Sequence, residues 1–139
     1  MIEYVLDASV AVKLLVPEPH SDRAEGLMRS GVPLHAPDLV VVEVASVLAK
    51  YARRGLMEPL DAQVRLHQLN SFPVKLKPTT SLMYPALDIA LETGRAVYDC
   101  CYLALAQVLK ASFLTADEKF INGLAGTKYA RTAAWLGAI

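Results

Sequence analysis

Cysteine is scarce in this sequence: Cys100 and Cys101 are the only two, and they are adjacent. Neighbouring cysteines exclude a disulfide scaffold and a spaced thiolate metal site, leaving small core side chains as their simplest use. Long apolar runs are missing as well. The richest, LVVVEVASVLA, is interrupted by Glu43 and falls well short of the ~20 residues a membrane span needs. The first residues, MIEYVLD, put no basic patch before their apolar segment, so no secretory leader and no membrane association are expected. A soluble, cytoplasmic protein is the default. Net charge is also absent, 14 Lys and Arg balancing 14 Asp and Glu. That balance gives no support to a nucleic-acid partner, yet leaves room for a local basic face. His20, His35 and His67 lie far apart with no HxxxH-like spacing, and no role is assigned to them. The patterns GxGxxG, GxxxxGK[ST] and GxSxG do not occur. A dinucleotide enzyme, a P-loop NTPase and an α/β-hydrolase are therefore poor readings.

What is present is a core-forming composition. Of the 139 residues, 54% are hydrophobic and 20% charged, which argues for one folded domain over 1–139 and against disorder. Short apolar runs alternate with longer stretches of helical period. The runs predict strands at 2–6, 34–36, 74–76, 112–115 and 129–132. The helical period predicts helices at 9–16, 38–54, 59–69, 82–92, 98–110 and 118–124. Gly31, Gly55 and Gly94 fall where helices should stop, and Pro33, Pro37, Pro73 and Pro78 bracket the second and third strands. Such alternation implies an α/β fold, a single parallel sheet flanked by helices on both faces as an α/β/α sandwich. The continuous apolar strands fit a sheet covered on both sides. The Leu/Ala-rich face of 98–109 reads as core, with a dimer contact as the alternative.

Open α/β sheets bind ligands beyond the carboxyl ends of their strands, where strand order reverses. Two acids stand at such ends. Asp7 follows the first strand, where its plainest use is to N-cap the next helix. Asp117 holds the matching place after the fourth; Thr115 and Glu118 there have the spacing of a capping box, which would make Asp117 a first-turn acid. Two further acids lie on helices with apolar surroundings. Glu43 has Leu39, Val40, Ser46 and Val47 three and four positions away, too apolar for a solvated face, and burying it unpaired is costly. Asp99 is flanked by Ala96, Tyr102 and Leu103, with an ion pair to Arg95 as the alternative account. Glu18, Asp22, Glu25 and Glu58 fall in polar surroundings that need no explanation. Four converging carboxylates repel one another and raise their pKa values. Hard divalent cations relieve this, and oxygen-only ligation suits Mg²⁺ or Mn²⁺. The chemistry such a cluster supports is phosphodiester hydrolysis. Lys50 and Arg54 follow Glu43 at helical spacings that share its face to within about 20°, which offers a track for phosphates. A solvated helix end with dipole-favoured cations is the plainer account of them.

The segments VLDASV, APDLVVVEVASVL, YDCCYLALA and FLTADEKF, in this order and at these separations, resemble the PIN-domain family. The likeness covers essentially the whole chain and is greatest to the toxins of VapBC-type toxin–antitoxin pairs. It implies a metal-dependent endoribonuclease in which Asp7, Glu43, Asp99 and Asp117 bind Mg²⁺ or Mn²⁺ and serve catalysis. It also implies a parallel sheet with the first and fourth strands as neighbours, and the hydroxyls of Ser9 and Thr115 beside the acids. An RNA substrate, contacted by Lys50 and Arg54, a cognate antitoxin and a homodimer complete the expectation. Some relatives carry another acid two places after the last aspartate; here Lys119 stands there, with Glu118 one place earlier. An aspartyl-phosphate phosphatase would normally have a second acid two places after Asp7, where Ser9 is found. A phospho-acceptor module would pair acids near Asp7, and none occurs. The intact acids oppose a scaffold that binds RNA without cutting it.

Overall fold

The computed structural model describes residues 2–139; Met1, part of the expected 1–139 domain, lies outside them. Strand β1 (Tyr4–Leu6) leads into α1 (Ala8–Ala11) and a 3-10 turn at Val12–Leu14. There follow α2 (Ser21–Arg29), β2 (Leu34–Pro37), α3 (Leu39–Arg53), α4 (Pro59–Gln68) and β3 (Val74–Lys77). The chain then forms α5 (Met83–Thr93), α6 (Val97–Leu109), β4 (Ser112–Thr115), α7 (Glu118–Gly123) and β5 (Ala133–Trp135). The strands pair in parallel in the order β3-β2-β1-β4-β5. From β1 the chain builds outward through β2 to β3, then returns to the other side of β1 as β4 and continues to β5. Strand order therefore reverses between β1 and β4, and a crevice is expected at their carboxyl ends.

Two of the sequence expectations need correction. The fifth strand is at Ala133–Trp135, not 129–132. Tyr129 is held instead in a series of turns, its N–H bonded to Thr127 Oγ1 at 3.2 Å and its carbonyl to the Thr132 N–H at 3.0 Å. Its ring is buried and its hydroxyl reaches Glu92 at 2.8 Å, so packing rather than pairing explains its apolar character. Helix α2 was not expected at all. It buries only Ala24 and contains Gly26, so its sequence carries little apolar period. It forms because Ala24 and Leu27 close the smaller apolar layer of the sheet.

Two apolar layers sandwich the strands. Val5 and Phe113 point into the larger one, against α6, in which Cys100 to Ala106 are all buried. Leu6, Leu34 and Leu114 point into the smaller one, with Ala24 and Leu136. Phe113 stacks on Tyr102 at 5.7 Å between ring centroids and meets Phe120 edge-on at 5.6 Å. Truncating a ring so placed costs about 3–5 kcal/mol. At one edge, β3 is largely exposed, and Lys75 and Lys77 discourage pairing with another chain there. The adjacent cysteines are core residues as expected; burial pushes the Cys101 thiol up to about 11, which keeps it unreactive. No helix among the described residues is long and apolar enough to cross a membrane.

Candidate active site

The carboxyl ends of β1 and β4 are joined by a hydrogen-bonded group centred on Asp7. Asp7, directly after β1, caps α1 by accepting from the Val10 N–H at 3.2 Å. The same Oδ1 accepts from the Ser9 hydroxyl at 2.5 Å, and Oδ2 accepts from the Thr115 hydroxyl at 2.5 Å. Ser9 Oγ in turn accepts from the Ala116 N–H at 2.9 Å, and Thr115 Oγ1 from the Asp117 N–H at 3.1 Å. Two loops distant in sequence are thereby fastened together through one carboxylate. The capping box between Thr115 and Glu118, the alternative account of Asp117, does not form. Thr115 is still part of β4 and its side chain turns across to Asp7, so Asp117 caps α7 instead, accepting from the Phe120 N–H at 3.2 Å.

Glu43 and Asp99 reach the crevice from helices. The start of α3 is tied to the segment after β3: Asp38 Oδ1 accepts from the Thr79 N–H (3.0 Å) and hydroxyl (2.6 Å), and that hydroxyl oxygen accepts from the Leu39 N–H (2.8 Å). One turn on, Glu43 is half-buried and accepts a hydrogen bond from the buried Tyr102 hydroxyl. Tyr102 was not foreseen as part of the site. Its signal was a tyrosine on an apolar helix three residues after Asp99, since a buried tyrosine needs a partner for its hydroxyl. Asp99 lies in the first turn of α6 with its side chain exposed. The alternative ion pair with Arg95 is not formed among the described residues.

Electrostatics link the four acids in sequence around the crevice. Burial pushes the Asp7 carboxyl up to about 6, against the lowering effect of Ser9, Thr115 and the Val10 N–H, and the charge of Glu43 adds to the rise. Glu43 is raised by burial and by Asp99, with Tyr102 opposing. Asp99, exposed as a residue, is raised by the partial desolvation of its carboxyl and by Asp117, with Arg95 opposing. Successive carboxylates in this series therefore repel one another. They do not form a closed ligand set: among the described residues no three His, Cys, Asp or Glu side chains are drawn close enough to hold a metal ion as they stand. Glu43 is turned to Tyr102, and Asp7 to its two hydroxyls. The donors fit Mg²⁺ or Mn²⁺ in kind, all being hard oxygens with mutual repulsion to relieve, and a cation would have to draw them inward.

An open cavity of about 350 Å³ adjoins Asp117, the one of the four acids in its wall, and is lined also by Ser9, Val12, Lys13, Glu18, Val47 and Ala116. Glu18 is thus no ordinary surface acid. It accepts from Lys13 Nζ at 3.3 Å and from the Tyr51 hydroxyl on the wall of this cavity. Val47 also lines a neighbouring depression with Lys50, Tyr51 and Arg54, which sets the two basic residues expected to track phosphates next to this cavity. Both are exposed, and Lys119 and Glu118 are exposed at the start of α7.

A family model described as the PIN domain matches residues 4–123. Ribonuclease VapC3 of Pyrobaculum aerophilum is 37% identical over 120 residues, covering 85% of this chain and 92% of the relative. Among solved structures, a crystal structure of a Pyrobaculum aerophilum protein superposes with a TM-score of 0.72 at 22% identity, covering 99% of this chain and 91% of the other. A toxin–antitoxin complex from Klebsiella pneumoniae superposes at 0.68 and 15% identity, covering 96% and 98%. At those identities the two structures speak to the fold.

Proposed function

We propose that this chain, which belongs to the PIN-domain family, is a metal-dependent endoribonuclease, the toxin of a two-component toxin–antitoxin pair. The observation that carries the reading is the fastening of Asp7 to Ser9 and Thr115 across β1 and β4, with the charge of Glu43 acting on Asp7, that of Asp99 on Glu43 and that of Asp117 on Asp99. The relative named as a ribonuclease supports the RNA substrate, and the toxin–antitoxin complex among the fold's neighbours supports the partner.

Asp7, Glu43, Asp99 and Asp117 are the residues proposed to hold Mg²⁺ or Mn²⁺. When bound, the metal supplies Lewis acidity towards the phosphodiester and the attacking water. Ser9 and Thr115 hold both Asp7 oxygens in place, and Tyr102 holds Glu43 Oε1 while leaving its second oxygen free. Lys50 and Arg54 contact the RNA backbone beyond the cavity. An aspartyl-phosphate on Asp7 is disfavoured, because Ser9 stands where such enzymes carry a second acid. The proposed setting is cytoplasmic, with an antitoxin and a second copy of the chain as partners. The test is cleavage of single-stranded RNA: purified protein should cut with Mg²⁺ or Mn²⁺ and stop in EDTA. Asp7→Asn and Asp99→Asn should each lose most of the rate and keep the fold. Undiminished cutting after exhaustive chelation rejects the metal mechanism.

A further inference from the structure

Arg95 stands in the short connection between α5 and α6, four residues before Asp99. Its backbone is fixed. Gly94 ends α5 at φ +72° with its N–H on the Ala90 carbonyl at 2.8 Å, and the Arg95 N–H donates to Thr93 Oγ1 at 3.2 Å. The side chain crosses to α7, where its guanidinium carbon lies 5.5 Å from the centroid of the Phe120 ring. One turn along α7 is Gly123, and a Cβ there would come within 1.1 Å of an Arg95 terminal nitrogen. Phe120 and Gly123 thus form a seat, an aromatic face beside a gap that only glycine leaves open. Helix α7 is the one that Asp117 caps, and from this seat the guanidinium acts on the Asp99 carboxylate, on which Asp117 also acts.

What the group does not do is informative. Among the described residues its side chain makes no ion pair and no hydrogen bond. A brace for α7 would need the ring contact alone, and a counter-charge for Asp99 would be served best by a direct ion pair. Neither accounts for a planar group with all five donors free at the rim of an acidic crevice. A phosphodiester does account for it. The acids repel a polyanion, and a fork of parallel N–H donors matches two phosphate oxygens.

We propose that Arg95 is a substrate clamp, binding a phosphate of the RNA strand bidentately beside the carboxylates, with Phe120 and Gly123 holding the guanidinium in place. The inference rests on the ribonuclease reading above. Its test is initial cleavage of a short single-stranded RNA with Mn²⁺, at salt from about 50 to 200 mM, by the full chain and three variants. Arg95→Ala should raise KM on the order of tenfold, more than it lowers kcat, and reduce the salt slope of log kcat/KM by about 0.7, one phosphate contact. Arg95→Lys keeps the charge without the fork, so it should recover the slope while KM stays several-fold high. Gly123→Ala crowds the seat while favouring the helix, and should raise KM with Tm unchanged or higher. A slope unchanged in Arg95→Ala, or full recovery of KM by Arg95→Lys, overturns the clamp. Should Arg95→Ala fail to fold, the other two variants decide. A wild type that cuts RNA with all variants equal to it refutes the clamp alone. A wild type that cuts no RNA refutes the ribonuclease reading and the clamp with it.

Discussion

Asp7 carries two duties that looked like alternatives in the sequence. A capping aspartate and a site aspartate share the same local pattern, and nothing near YVLDASV separates them. The partner that does so, Thr115, lies 108 residues away. In the fold, Oδ1 caps α1 and takes the Ser9 hydroxyl while Oδ2 takes Thr115, so both accounts hold. The consequence is measurable as a dependence of stability on pH. The folded carboxyl titrates near 6 against 3.8 for an unperturbed one, so between these values the folded state binds more protons than the unfolded state. Stability of the metal-free protein should therefore rise as pH falls from about 6 towards 4, by on the order of 2–3 kcal/mol, and the penalty should be complete above 6. Asp7→Asn should flatten that profile. Urea melts in EDTA across this range check it, and a wild-type profile as flat as the variant's rejects the burial of a charged Asp7. The pairing of Glu43 with Tyr102 was likewise beyond local reading, although the apolar neighbours of Glu43 did mark it as a residue to explain.

At the scale of elements, legibility followed the apolar pattern. Helix α3 was foreseen within a residue at each end because buried Val40, Val44 and Leu48 recur at helical spacing. Strand β4 was foreseen in full because SFLT is buried along most of its length. Helix α2 and strand β5 were missed or displaced, since one buries a single residue and the other, AAW, is only half-buried. The site depends on the legible elements. Helix α3 in particular carries Glu43 on a turn whose start is anchored through Asp38 and Thr79. If Glu43 belongs to the carboxylate cluster, Glu43→Gln removes repulsion with Asp7 and Asp99 while still accepting from Tyr102. In EDTA at neutral pH the variant should melt higher than wild type. Mn²⁺ at about a hundred times its Kd adds about 2.7 kcal/mol to a protein that binds it, or a rise in Tm on the order of 5–10 °C for a domain of this size. The rise should be much smaller in the variant. Four thermal melts decide, and equal responses to Mn²⁺ remove Glu43 from the metal site.

At the scale of the whole molecule, a chain with no net charge concentrates negative charge at one crevice of the sheet. Such a crevice can be neutralised in two ways, by a divalent cation or by a basic side chain from a partner. An antitoxin that inserts an arginine there would pair bidentately with the carboxylates and take the place of the metal. The two ligands would then compete, and each would stabilise the folded state only where the other is absent. The co-purified toxin–antitoxin complex should accordingly melt higher than the free chain in EDTA, and gain far less from added Mn²⁺. Adding the antitoxin should also stop RNA cleavage, with excess Mn²⁺ restoring part of it. A complex whose Tm rises with Mn²⁺ as much as the free chain's places the partner away from the crevice. Light scattering on the same two samples tests assembly. Apolar side chains such as Tyr84 and Leu91 stand exposed on α5, and a pair of chains related by a two-fold axis is the commonest way to cover surface of this kind. The free chain or its complex should contain two copies of it, and one copy in both samples rejects the dimer.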